Sequence, residues 1–144
     1  MQIAIYNRAF EEEDLPLFQT LIVLLREHNI TPVFFEDLAN RLKDRIVLPE
    51  KFELFSDAKP LSPRVKFVFS LGGDGTMLDI VKFVGNRNIP ILGINLGRLG
   101  FLASTPAEEI SFAVDSLVRG AYILDPRPLI HLDTSVPLFV DAPF

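Results

Sequence analysis

An α/β fold on a parallel sheet, with helices on both faces, is what this 144-residue sequence predicts, and three observations predict it. Short apolar runs that read as strands alternate with longer runs whose apolar residues recur at helical spacing. The run Val65-Lys66-Phe67-Val68-Phe69-Ser70 is nearly continuously apolar, as a strand covered on both faces requires. Two glycine-rich turns follow two successive strand-like runs, and in a parallel sheet both would emerge at the same carboxyl edge. The length suits one complete domain with a core of its own and the beginning of a second.

Taken in order, Ile3-Ala4-Ile5-Tyr6 is the first strand, ending at Asn7-Arg8 where an open α/β sheet places a ligand loop. Arg8 is positioned either to reach a phosphate or to be solvated beside the acidic cluster Glu11-Glu12-Glu13-Asp14. That cluster opens a helix, because carboxylates suit the positive end of the helix dipole, and Phe18, Leu21, Ile22 and Leu25 supply its buried stripe. Thr31-Pro32 breaks the chain before a second strand at Val33-Phe34-Phe35. A second helix runs from Glu36 to Arg45 with Leu38 and Leu42 on one face. Residues 48–63 contain Pro49, Pro60 and Pro63 with no sustained period, so a long loop without chemistry is expected there.

After the third strand at 65–70, a helix is expected from Thr76, with Met77, Ile80, Val81 and Val84 inward and Gly85-Asn86 as its stop. Pro90 to Asn95 reads as the fourth strand and runs into the second turn, Leu96-Gly97-Arg98-Leu99-Gly100-Phe101-Leu102. Thr105 is expected to cap a helix with Pro106 in its first turn and Glu108 reaching back, its stripe being Ile110, Ala113, Val114 and Leu117 and its end Gly120. From Ala121 the pattern changes to strand-like alternation around Tyr122-Ile123-Leu124 and Leu129-Ile130-His131-Leu132, interrupted by prolines. The chain thus divides into residues 1–120, an α/β domain, and residues 121–144, the start of a β-rich region.

Composition narrows the function. Fourteen basic against nineteen acidic residues give a net charge of −5, which argues against nucleic acid as a partner, because a basic face supplies most of that affinity. With no cysteine there is neither a disulfide framework nor a thiolate nucleophile, and two histidines, His28 and His131, make a zinc site improbable. The N-terminus lacks the pattern of a signal peptide, and no apolar run approaches the roughly 20 residues of a membrane span, so no membrane is expected and the expected compartment is the cytoplasm.

The chemistry concentrates in Leu71-Gly72-Gly73-Asp74-Gly75-Thr76-Met77-Leu78. A strand that ends in glycines can bring backbone N–H groups against a phosphate, and a helix that begins there aims its positive end at the same point. G-x-G-x-x-G fails, since position 78 is leucine, and no glycine precedes the Lys-Ser/Thr of a Walker loop. The same glycines also suit a plain tight turn with Asp74 as cap, but three glycines within four residues cost more backbone entropy than a cap requires. Phe101, directly after Gly100, is placed to stack on a base, although packing in the core is the commoner fate of such a residue.

LGGDGTML at 71–78 followed by GINLGRLGFL at 93–102 resembles the NAD kinase family. A GGDG-type turn is shared with a wider group that includes diacylglycerol, sphingosine and phosphofructokinase enzymes, but the Gly-Thr-x-Asn-Asp element of the lipid kinases is missing here. The resemblance implies a Rossmann-like α/β domain joined to a β-rich second domain, most of which would lie beyond Phe144, so the chain resembles an N-terminal fragment with little or no activity in isolation. The implied reaction moves the γ-phosphoryl group of ATP to the 2′-hydroxyl of the adenosine ribose of NAD, giving NADP. Asp74 would orient and deprotonate that hydroxyl; Gly72, Gly73, Gly75 and Thr76 would hold phosphates, with Mg²⁺ on the ATP oxygens and its protein ligands unassigned. Phe101 and Leu102 would line the NAD pocket, with Asn95, Arg98 and Arg8 as further contacts, and the full protein would be a homo-oligomer. The alternatives are another small-molecule or lipid kinase of the group, or a nucleotide-binding or oligomerisation module without catalysis.

Overall fold

The computed structural model describes residues 1–97 and 100–129. Ten elements follow in order: β1 (Gln2–Tyr6), α1 (Leu15–Glu27), β2 (Thr31–Phe35), α2 (Glu36–Leu42), β3 (Glu53–Phe55), β4 (Val65–Gly72), α3 (Asp74–Val84), β5 (Ile91–Asn95), β6 (Thr105–Pro106) and α4 (Ile110–Val118). The strands form one six-stranded sheet in the order β3-β2-β1-β4-β5-β6. Every pairing is parallel, and this is the strand order of the Rossmann sheet.

Side-chain alternation along the strands builds a core on each face. Ile3, Ile5, Phe34, Phe69, Leu71 and Ile94 pack on the stripes of α1, α2 and α4, whereas Ala4, Tyr6, Val33, Phe55 and Val68 pack on Ile80, Phe83 and Val84 of α3. The expected α1 stripe is buried as read, Phe18, Leu21, Ile22 and Leu25 each contributing about 1.5–3 kcal/mol by leaving water. Because β1 grows towards β2 under one face and β4 towards β5 under the other, β1 and β4 lie side by side and their following loops diverge. That divergence is the crevice in which such sheets bind ligands.

Several local expectations are corrected. Residues 53–55, read as loop, form the edge strand β3 in register with Val33–Phe35. The helix read from Thr76 starts at Asp74, after Gly73 in extended conformation, so Asp74 and Gly75 are helical rather than parts of the turn. The helix read from Glu36 to Arg45 ends at Leu42. Thr105 is not a cap: it opens the two-residue strand β6, and a 3-10 turn at Ala107–Glu109 leads into α4. Gly85 and Gly120 do end their helices, with φ of +55° and +70°. Among residues 121–129 there is no strand, so Tyr122-Ile123-Leu124 is not one, and the remainder of the β-rich reading lies outside the described residues.

Candidate functional site

The two glycine-rich turns meet at the carboxyl edge of β4 and β5, and Asp74 is what joins them. Its Oδ1 accepts hydrogen bonds from the backbone N–H groups of Leu102 and Ala103, both at 2.9 Å, and its Oδ2 accepts from Phe101 N–H at 2.9 Å. Three successive amides thus converge on one half-buried carboxylate. The donors of Ala103, Leu102 and Phe101 favour the charged form and hold the Asp74 carboxyl below its ordinary range.

Glycines at three positions make this junction possible. A Cβ on residue 100 would lie 2.2 Å from Asp74 Oδ1, and one on residue 93 would lie 2.7 Å from the Ala103 Cα. Gly72 has φ of +149°, and a Cβ there would lie 2.4 Å from Thr76 Oγ1, so Gly72 serves the strand-to-helix turn itself. Gly73 and Gly75 differ: a Cβ on either would meet nothing within 4 Å. The N–H groups of Asp74, Gly75 and Thr76 open α3, and the first amides of a helix lack intrahelical acceptors, so bare backbone donors face that open space.

The second turn is braced from within. Asn95, buried at the end of β5, accepts from Gly97 N–H at 2.7 Å and donates to the Ala103 carbonyl at 3.2 Å. Its carboxamide therefore shapes the turn that carries the three donors. Phe101 is held by its amide, while its ring is 95% exposed, and Leu102 is half-buried.

Across the β1–β4 seam, fully buried Asn7 donates to the carbonyls of Leu71 and Ala9 at 2.8 and 2.9 Å. Arg41 of α2 donates to the Asn7 carbonyl at 3.0 Å, and its guanidinium lies 4.9 Å from the Phe10 ring centroid. Arg8, exposed, pairs with Asp79 of α3 at 3.3 Å rather than with the acidic cluster that precedes α1.

Of the residues singled out from the sequence, Gly72, Gly73, Asp74, Gly75, Thr76, Asn95, Phe101 and Leu102 come together at one sheet edge. Arg8 lies one strand away on the neighbouring loop, and Arg98 lies outside the described residues. Gly93 and Gly100 stood in the second motif without an individual role and Ala103 had none, yet Gly100 packs on Asp74, Ala103 donates to it, and Gly93 packs on Ala103. Asn7 had a usable signal in standing directly after a strand; Arg41 had none. Among the described residues no group of three or more His, Cys, Asp or Glu side chains is placed to hold a metal ion. Nor is any helix there long and apolar enough to cross a membrane.

Comparison with known proteins bears on the same segment. A family model for the ATP-NAD kinase N-terminal domain matches residues 32–122. The NAD kinase of Cytophaga hutchinsonii is 40% identical over 145 residues, covering 100% of this chain and 49% of that protein. The NAD kinase of Flavobacterium johnsoniae is 31% identical over 132 residues, covering 92% of this chain and 45% of its own. The crystal structure of yeast NADH kinase complexed with NADH superposes with a TM-score of 0.66 at 21% identity, over 84% of this chain and 38% of that one, a likeness of fold. The chain spans about half the length of the relatives it matches.

Proposed function

The chain belongs to the NAD kinase family, and from that premise we propose that it supplies the nucleotide-binding half of an ATP-dependent NAD kinase, which transfers the γ-phosphoryl group of ATP to the 2′-hydroxyl of the adenosine ribose of NAD. One observation carries this reading: the lone carboxylate of the first turn is clasped by three amides of the second, so that acceptor and phosphate elements share one edge of the sheet.

An ionised carboxylate has about four acceptor positions, and Asp74 uses three of them on amides, which leaves Oδ2 room to accept from a ribose hydroxyl. Its lowered proton affinity makes it a better orienting group than a base. The hydroxyl oxygen bonds to the γ-phosphorus as the bond to the bridging oxygen breaks, ADP departs, and late in a loose transition state the hydroxyl proton passes to the Asp74 carboxylate and on to solvent. The amides of Gly73, Gly75 and Thr76 hold the phosphates, while Gly72 shapes the turn. Phe101 offers an exposed ring for a base with Leu102 beside it, Asn95 braces the turn, Arg8 approaches from the adjacent loop, and Arg98 is a further NAD contact. Mg²⁺ arrives with the ATP phosphates as part of that substrate, since such ions are usually held by one or two carboxylates plus phosphate oxygens. Residues 121–144 lead into a β-rich second domain that completes the nicotinamide grip and through which the protein forms a homo-oligomer working in the cytoplasm.

NADP formation from NAD and ATP, assayed on the product of the complete reading frame with diacylglycerol and fructose 6-phosphate as competing acceptors, tests this. Asp74→Asn should lower turnover by roughly 10²–10⁴-fold with the fold intact. Near-normal turnover in that variant, or transfer to another acceptor in preference to NAD, rejects the assignment.

A further inference from the structure

A second concavity lies on the other side of the phosphate turn from Phe101. Resting on the kinase reading, we propose that this cleft, at the carboxyl ends of β1 and β2, takes the nucleoside end of the phosphoryl donor while residues 73–76 take its phosphates. The cleft has a volume of about 510 Å³ and is lined by Tyr6, Arg8, Phe35, Asp37, Asn40 and Arg41. That is within the range of small-molecule sites, and the mixture is the usual one, an apolar wall with a few polar groups.

The apolar wall is Tyr6 against half-buried Phe35, ring centroids 5.0 Å apart. Tyr6 is only 5% exposed, and its hydroxyl makes no hydrogen bond among the described residues. Tyr6, Arg8 and Asp37 line the cleft together. The hydroxyl is not among the buried unpartnered atoms, so it reaches solvent and is free to donate to a ligand acceptor in place of water. Burial also raises its pKa, so at neutral pH it is a donor. Asp37 and Asn40, both exposed on the rim, offer acceptors to vicinal ribose hydroxyls. Arg41 is already engaged with the Asn7 carbonyl and serves as a fixed wall.

Placement decides which nucleotide belongs there. The acceptor ribose must reach Asp74, which opens towards β5 and the amides of 101–103. An in-line transfer needs the donor on the opposite side of the turn, and that side leads to β1 and β2. β2 and β4 are two strand spacings apart, about 10 Å, a distance that a triphosphate bridges. Arg8 stands between the two places, and its exposed pair with Asp79 holds it weakly enough to be exchanged for a phosphate.

Amide chemical shifts, followed by NMR on the protein during titration with separate probes, test this. ATP should move the amides of both 36–41 and 73–76, inorganic tripolyphosphate those of 73–76 alone, and adenosine those of 36–41. Tyr6→Phe and Asp37→Asn should each weaken ATP about tenfold, the loss of one hydrogen bond, and leave tripolyphosphate affinity unchanged. The proposal is overturned if ATP leaves 36–41 unmoved, if NAD moves 36–41 in place of ATP, or if both variants bind ATP within twofold of the parent. NADP formation that persists alongside any of those results keeps the kinase reading and discards only the cleft.

Discussion

Gly100 packs so closely on Asp74 that a Cβ at residue 100 would lie 2.2 Å from Oδ1 and 2.6 Å from the carboxylate carbon. The carboxylate cannot swing away without leaving the amides of 101–103. Gly100→Ala should therefore push the second turn off Asp74. A displacement of that size at a reacting group costs on the order of 100-fold in turnover. Steady-state NADP formation measures it, and a variant within threefold of the parent would show that the contact is dispensable.

Acid should open the same junction. Asp74 has a folded-state pKa below its unfolded value, so its contribution to stability is complete above about 3.9, the ordinary carboxylate value, and is lost as pH falls through the lower folded value. The amide resonances of Phe101, Leu102 and Ala103 should hold steady from pH 8 to about 4 and move only below that. Movement between pH 5 and 7 would contradict the clasp.

Gly75→Ala separates ligand binding from folding. Residue 75 lies in the first turn of α3 with nothing within 4 Å of an added Cβ, so alanine should raise stability by about 0.4–1 kcal/mol, chiefly by narrowing the unfolded ensemble. If phosphates occupy that open space, the same methyl group should weaken ATP several-fold. Chemical denaturation and nucleotide titration report the two effects independently, and unchanged ATP affinity would remove phosphate from the space above residue 75.

Asn7→Ala should damage the frame rather than the chemistry. The buried carbonyl of Leu71 loses its side-chain donor, and an unsatisfied buried group costs about 1–3 kcal/mol, whereas the exposed Ala9 carbonyl can turn to water. Urea midpoints should fall accordingly, and a change below about 0.5 kcal/mol would mean that other donors take over.

The alternation of strand-like and helical runs predicted the doubly wound domain because Phe18, Leu21, Ile22 and Leu25, or Ile110, Val114 and Leu117, carry their periodicity within a dozen residues. Glu53–Phe55 was not legible for the opposite reason: a three-residue edge strand is too short to display alternation, and its pairing with Val33–Phe35 leaves no local mark. Helix α3 begins two residues earlier than read because Asp74 and Gly75, residues typical of turns, enter the helix once Gly73 has taken the extended conformation before it. The glycine turns announced a site, but the bond between Asp74 and residues 101–103 spans 27 to 29 positions and exists only when β4 and β5 pair.

The strand order also sets a schedule for biogenesis. β1 is made before the other strands of the sheet but is central to it, and one of its two neighbours, β4, follows only after α1, β2, α2 and β3 have been made. Until then one edge of β1 is an unpaired template, open to pairing with another nascent chain. The seam that Asn7 closes against Leu71 is therefore where translation pauses or crowding would divert the protein towards aggregation.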